Sequence, residues 1–593
     1  MRSPAFASAP RLGAFLRFIV EETIAGREDS LKETTVAVRV FGKTVDFDPR
    51  FDSVVRAQGT QLRRRLREYY ATPEQQDTVV IEVPPGSYVP VFRRHPGPAS
   101  EAAIRGKRRW RAVVAACAMM AAGLALWWFL PGLHRQTPSL AILPFLNLDE
   151  GSGNEHVGDG LVEDLTTGLS QSSGLRVVAR TSAFQFRGKG EDVRRIGREL
   201  GVGAVLEGSV RTGAGRIRVT AQLVDAGTGY HLWSNSYERD LARAPEVERE
   251  IGSAVRRALR VGGTAADHGH ASGHVPPAEA LDAYWRGRHI LDDWERFPES
   301  VSFFERAVRL DPGFAAAWAA LAQVHAGRAF QEVGPVDEEA AQAREAAARA
   351  LKLDDTLAEA YAALAQIDYA YGHDWAASER GYRRALEVNP NNARVRRSYA
   401  LALTSQARFA EALAQLKLAQ QSDPLGAIND NVLAAILFCA RRYRETISEV
   451  RRHLQMDPDY VLARFTLASC EAEEGKLDEA ISEYRKVLER GRATEVLGRL
   501  GNAQARAGRL LDARATMAEL EHIQQTEKIA AVALARVSVG LGEKRRAIEW
   551  LGEAAAGHLT DVAFIGVDPA FDPLRREPGF QALCARLSLP SHP

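Results

Sequence analysis

The chain has 593 residues, with 77 Lys and Arg against 76 Asp and Glu, a formal net charge of +1, and four cysteines. That length exceeds what one hydrophobic core holds, so several domains are expected, and a balanced total charge makes local charge the quantity to read. Four cysteines without metal-ligand spacing, and fourteen histidines without an HExxH, imply neither a disulfide framework nor a metal site; a P-loop and GxSxG are also absent, so no catalytic residue and no cofactor is assigned.

In residues 1–94, Leu12, Phe15, Leu16, Ile19 and Thr23 recur at helical spacing, with Gly26 as the stop. A second helix is predicted over 32–41, closed by Gly42, and a third over 52–70. VVIEV, the turn PPGS and YVPVF then read as a hairpin. Three helices and a terminal hairpin predict a winged helix-turn-helix with the third helix in the recognition position. At 100° per residue, Val55, Leu62, Leu66 and Tyr69 share the core side of that helix, while Arg56, Thr60, Arg63, Arg64 and Arg67 fall on its flank and back. These five are the candidate DNA-binding residues, with guanidiniums on phosphates and base edges; the competing reading is a solvated helix face. The region is mildly basic, fifteen Lys and Arg against twelve Asp and Glu.

PRLGAFLRFIVEETIAGR, LKETTVAVRVFG, DFDPRFDSVVRAQGTQLRRRLREYY and IEVPPGSYVPVF resemble the amino-terminal winged helix found ahead of TolB-like and tetratricopeptide proteins, similar in layout to membrane-bound ToxR/CadC-type regulators. The resemblance implies DNA binding by this region. The chain departs from the usual arginine- and glutamate-rich helix at Gln58, Gly59, Thr60 and Gln61, and a helical Gly costs about 1 kcal/mol relative to Ala.

Residues 95–109 are a linker. A transmembrane helix is predicted over 110–131: residues 112–130 hold no charge, and nineteen helical residues reach about 28 Å. Lys107, Arg108, Arg109 and Arg111 precede it and Trp127, Trp128 and Phe129 close it, which places the amino end in the cytoplasm.

Over 138–262 the segments alternate β-α-β-α-β-β-β-α, a small α/β sandwich. Gly197, Gly201 and Gly203 end a helix and open a strand, the reverse of the dinucleotide-binding order. Asp159, Glu163 and Asp164 are read as first-turn acids favouring a helix dipole. SLAILPFLNL, GDGLVEDLTTGLSQSSGLRVVARTSAFQFRGK, RRIGRELGVGAVLEGSVR and AQLVDAGTGYHLWSNSYERDL closely resemble the TolB amino-terminal-like domain, which implies a binding or assembly module of the envelope.

From 278 to 588 the sequence is helix after helix. Trp375, Phe409, Tyr443, Leu477 and Leu511 stand 34 residues apart at helix starts, and Pro390, Pro424 and Pro458 keep the same interval. That is the tetratricopeptide period, one helix pair per repeat, with about eight pairs in all. The first helices of such a stack line a concave face that binds a protein or peptide. VDPAFDPLRREPGFQALCARL resembles the terminal segment of such proteins and is expected to cap the stack.

The resulting fold class is multidomain α and α/β: an N-terminal winged helix-turn-helix, one transmembrane helix, a TolB-like α/β domain and a C-terminal tetratricopeptide α-solenoid. The expected function is a bacterial single-pass inner-membrane transcriptional regulator, not an enzyme, with the N-terminus cytoplasmic and the C-terminal region periplasmic. Its partners would be DNA through residues 1–94, the lipid bilayer through residues 110–131, and an unknown protein or peptide in the tetratricopeptide groove, with a homodimer as a further option. The alternative is an envelope scaffold or assembly protein in which the winged helix is a protein-interaction module.

Overall fold

The computed structural model describes residues 6, 9–44, 47–48, 52–71, 78–94, 137–149, 154–172, 174–261, 274–291, 296–456, 458–491 and 493–590. The chain forms two compact units, 1–133 and 134–593.

The N-terminal unit has α1 (Pro10–Ile24), α2 (Glu33–Phe41), α3 (Val54–Tyr70) and an antiparallel hairpin of β1 (Val79–Glu82) and β2 (Val91–Arg94). Proline in its first turn opens α1, and Gly42, at φ 65°, ends α2 in the left-handed conformation that glycine adopts at little cost. Phe15, Ile19, Val36, Val55 and Leu62 are fully buried where the helices meet. Val83 turns inward to join them, and the Ile81 N–H donates to the Tyr70 hydroxyl at 3.0 Å, which ties α3 to the hairpin. Tyr69, assigned to the core side, is half-buried and rests edge-on against Tyr70.

The second unit begins with a mixed sheet. Its strands are β3 (Ser139–Ile142), β4 (Leu146–Asn147), β5 (Arg176–Val177), β6 (Ala204–Gly213), β7 (Arg216–Asp225) and β8 (His231–Asp240). The order is β5-β3-β6-β7-β8, with β4 also on β6; β5, β3 and β6 run parallel and β6 to β8 form an antiparallel meander. Ala214 and Gly215, at φ 51° and 78°, make the two-residue turn between β6 and β7, the geometry that matches strand twist. Alternation along β3 sends Leu140 and Ile142 to one face, with α4 (Glu155–Ser170) and α7 (Ala244–Ala258). Ala141 goes to the other, with α6 (Val193–Leu200); a short α5 (Arg180–Ala183) follows β5.

Sixteen helices then form eight consecutive pairs: α8 (Ala278–Ile290) and α9 (Ser300–Leu310), α10 (Ala315–Phe330) and α11 (Val336–Leu353), α12 (Ala358–Ala370) and α13 (Trp375–Val388), α14 (Ala393–Ser405) and α15 (Phe409–Ser422), α16 (Ala427–Cys439) and α17 (Tyr443–Met456), α18 (Val461–Glu473) and α19 (Leu477–Leu488), α20 (Thr494–Arg506) and α21 (Leu510–Glu527), α22 (Ala531–Gly540) and α23 (Lys544–Ala556). A segment with two 3-10 turns, Thr560–Phe564 and Pro569–Leu574, leads to α24 (Pro578–Arg586). The 34-residue interval also governs burial: Tyr382, Leu416, Val450 and Tyr484 are all buried, one per second helix. This is a helical repeat. Its core is continuous with that of the sheet, since Leu140, Leu165 and Leu206 share one apolar cluster with Trp285, Phe304 and Ile367.

The fold class and localisation need a correction. Among the described residues no helix is long and apolar enough to cross a membrane. The two described helices of eighteen residues, α11 and α21, carry charged residues along their length, among them Asp337, Glu345 and Lys352 in α11, and bury one side on their neighbours. The predicted span, 110–131, lies outside the described residues. The single-pass inner-membrane placement and the bilayer as a partner are not retained.

Candidate functional site

The five candidate residues of α3 meet different fates. Arg63 turns inward: its Nε donates to the Val83 and Pro84 carbonyls at 3.1 and 3.2 Å, its Nη2 to the Ser87 carbonyl at 2.9 Å, and its guanidinium stands over the Tyr88 ring. It is a strap holding the hairpin turn to the helix. Arg56 pairs with Glu33 of α2 at 3.0 Å, Arg64 with Glu68 one turn on at 2.8 Å, and Arg67 Nε lies 3.4 Å from the Arg63 carbonyl. Thr60 is exposed and donates to the Arg56 carbonyl. Gly59, read as a helical weakness, is buried against the hairpin: a Cβ there would stand 3.2 Å from Tyr88 Cε1. Arg63 is thus engaged within the fold, whereas Arg56, Arg64 and Arg67 stay exposed; nothing observed among the described residues supports DNA contact, and the description as a DNA-binding transcription regulator is not retained. Arg63→Ala is expected to cost the N-terminal unit about 1.5 kcal/mol through lost charge-assisted bonds, read as faster amide exchange over 79–94.

The second candidate region is the seam between sheet and repeat. Asp159, Glu163 and Asp164 lie along the α4 face that meets α8, not in the first turn, where Glu155 stands. Asp159 accepts from Arg187 at 2.5 Å and faces His289 Nδ1 at 2.8 Å; Glu163 pairs with Arg288; Asp164 accepts from the Trp285 indole at 2.8 Å. Burial lifts the Asp164 carboxyl to about 7. Farther along, Asp423 takes Arg397 at 2.8 Å and both the Thr181 and Ser182 hydroxyls at 2.6 Å. Asn391 donates to the Ser170 and Leu175 carbonyls, each at 2.9 Å. A polar cavity of about 100 Å³ remains here, lined among others by Thr166, Arg180, Arg288 and Asn392.

The third region is the face presented by the first helices of the pairs. It is occupied by the chain itself. Thr560 donates its N–H to Glu332 at 3.0 Å and its hydroxyl to the Phe330 carbonyl at 2.9 Å, and Val567 is buried with Phe438 and Cys439. Asp568 meets Arg536 at 3.0 Å and Arg499 at 3.3 Å. Burial raises the Asp568 carboxyl, but the two guanidiniums outweigh it and hold it at about 2. Glu332 goes the other way, lifted to about 7 by burial and then by Asp561.

These opposite shifts set a pH dependence. The contribution of Asp568 is present above the ordinary carboxylate value and is lost only as pH falls towards about 2. Glu332, whose folded value lies above its unfolded one, opposes the folded arrangement once ionised, from its ordinary value of 4.5 up through about 7. Glu495, raised by burial and Asp561, adds to this; Arg499 and Arg536 keep their charge throughout. Amides of 559–562 are therefore expected to be more open at pH 8 than at pH 5.5, after correction for intrinsic exchange, while those flanking Asp568 hold.

No known family profile matches the chain. A 188-residue stretch is 42% identical to the Rhizobium meliloti (strain 1021) protein named "Putative adenylate cyclase 3", covering 31% of this chain and 32% of that protein's length. Among solved structures, Pseudomonas aeruginosa pilF overlaps 34% of this chain and 92% of its own at 20% identity and TM-score 0.26. PilW, a type IV pilus biogenesis factor, overlaps 37% and 98% at 20% and 0.29, and human IFIT1 58% and 81% at 14% and 0.35. Overlaps this loose assign no function.

Proposed function

We propose that the chain is a protein-interaction scaffold, in which a helical repeat anchored on an α/β domain presents its first helices to a partner segment. The observation that carries this reading is the continuous face of first helices, across which a segment with two 3-10 turns already lies. The N-terminal unit enters as a second interaction module, with Arg56, Thr60, Arg64 and Arg67 of α3 as its contact surface and Arg63 as its internal strap. Because the cyclase-named relative shares 32% of its length, no cyclase activity is taken over from it. The test places a photo-cross-linker at position 64 of the full chain in cells and titrates the same chain with duplex DNA at about 50 and 200 mM salt. A discrete protein adduct and no salt-dependent DNA binding are expected. Duplex binding that collapses between the two salt concentrations, with no protein adduct, overturns the reading.

A further inference from the structure

Residues 558–577 return from the last helix pair across the inner faces of the preceding ones. His558 stacks on Tyr371 with ring centroids 4.4 Å apart, just beyond α12, and Thr560 is bonded to the end of α10. Ala563 joins the apolar cluster of Tyr369, Ala400 and Leu403, from α12 and α14; Phe564 packs on that cluster and on the next, where Val567 is buried with Phe438, Cys439 and Cys470 of α16 and α18. Asp568 then reaches Arg499 of α20 and Arg536 of α22. Eleven residues thereby run along seven successive first helices, α10 to α22. Arg441 secures the path by donating to the Val567 carbonyl at 2.6 Å and to Asp572 at 2.7 Å.

These contacts are those of a bound peptide. Small apolar side chains lie on alanine-rich helices, and one buried carboxylate is read by two guanidiniums. Arg499 and Arg536 are 11% and 3% exposed; Glu495 and Asp561 stand at 3.3 Å from one each, while Asp568, itself buried, bridges the two. A segment tethered in the same chain meets such a site at high effective concentration, and a competitor has to overcome it.

We propose that residues 558–577 are the resident occupant of a peptide-binding groove. Its partner is a protein segment that displaces them by offering a carboxylate to Arg499 and Arg536 beside an apolar residue in the place of Val567. The proposal rests on the scaffold reading and names the chemistry of the partner.

The probe is a labelled synthetic peptide of residues 558–577, added to the full chain. The Asp568→Asn chain, its own segment loosened, is expected to bind the peptide at least tenfold more tightly than the wild type. A peptide carrying Asp568→Asn should lose that gain. Equal affinity of the two chains, or undiminished binding of the altered peptide, overturns the proposal. Should the Asp568→Asn chain not fold, hydrogen exchange of the wild type decides. Exchange of 560–568 ahead of α20 and α22 supports a displaceable segment, and simultaneous exchange marks a permanent cap and overturns it. A peptide that binds while cells yield no protein adduct at position 64 leaves the groove standing and removes the α3 contact surface; an adduct without peptide binding removes the groove alone.

Discussion

Replacing Asp423 by alanine is expected to destabilise the second unit by about 3–5 kcal/mol, the range for stripping a buried guanidinium of its partner. Asp423 is 1% exposed and Arg397 9%, so water cannot take over the role. Arg397 Nη1 keeps the Asn429 side-chain oxygen at 3.3 Å, a neutral and longer contact, while the Thr181 and Ser182 hydroxyls each lose an acceptor. The contrast is Asp354→Ala. Asp354 follows the second helix of its own pair as Asp423 does, yet among the described residues its carboxylate takes local donors, Thr356 N–H at 2.8 Å and its hydroxyl at 2.6 Å. About 1 kcal/mol is expected there. Urea unfolding of the two variants, followed by proteolysis of the seam, reads the difference; equal losses would mean that Asp423 closes an ordinary repeat turn and does not anchor the α/β domain.

The second large effect is expected at Gly160. A Cβ on this residue would stand 2.1 Å from Trp285 Cδ1 and 2.2 Å from Cγ, so α4 and α8 meet with no room for a methyl group. Trp285 is 1% exposed and its indole N–H is held by Asp164, which leaves the ring no alternative place. Gly160→Ala is therefore expected to cost about 3 kcal/mol, at the upper end for overpacking, although alanine is the better helix former. Combining it with Trp285→Phe should recover part of the loss, since the smaller ring opens space. Thermal unfolding of the single and double variants measures this; a neutral or stabilising Gly160→Ala would show that the helices separate freely at this point.

The helical repeat was legible because its signal is local and recurs. Trp375, Phe409, Tyr443 and Leu477 open α13, α15, α17 and α19 at the interval read from the sequence. The seam was not legible, because its partners are far apart in the chain: Ser182 and Asp423 are separated by 241 residues, and Glu163 and Arg288 by 125. Acids along α4 look alike in sequence whether they serve a dipole or an interface, and only the approach of α8 decides. On α3, helical periodicity sorted Val55 and Leu62 inward, but it could not show that Arg63 reaches back over the hairpin, or that Gly59 is small to admit Tyr88. The membrane prediction drew on residues 107–133 alone, which lie outside the described residues.

The return of residues 558–577 gives the repeat a property that an open array lacks. In an open stack a 34-residue unit can be added or dropped, and each repeat answers only to its neighbours. Here Thr560 is fastened near the first pairs and Asp568 near the last, so nine residues of chain act as a gauge laid across the whole series. One repeat more or fewer would leave Arg499 and Arg536 a full link away from the carboxylate they grip. The repeat number of this protein is thereby fixed in the way a clasp fixes the length of a bracelet.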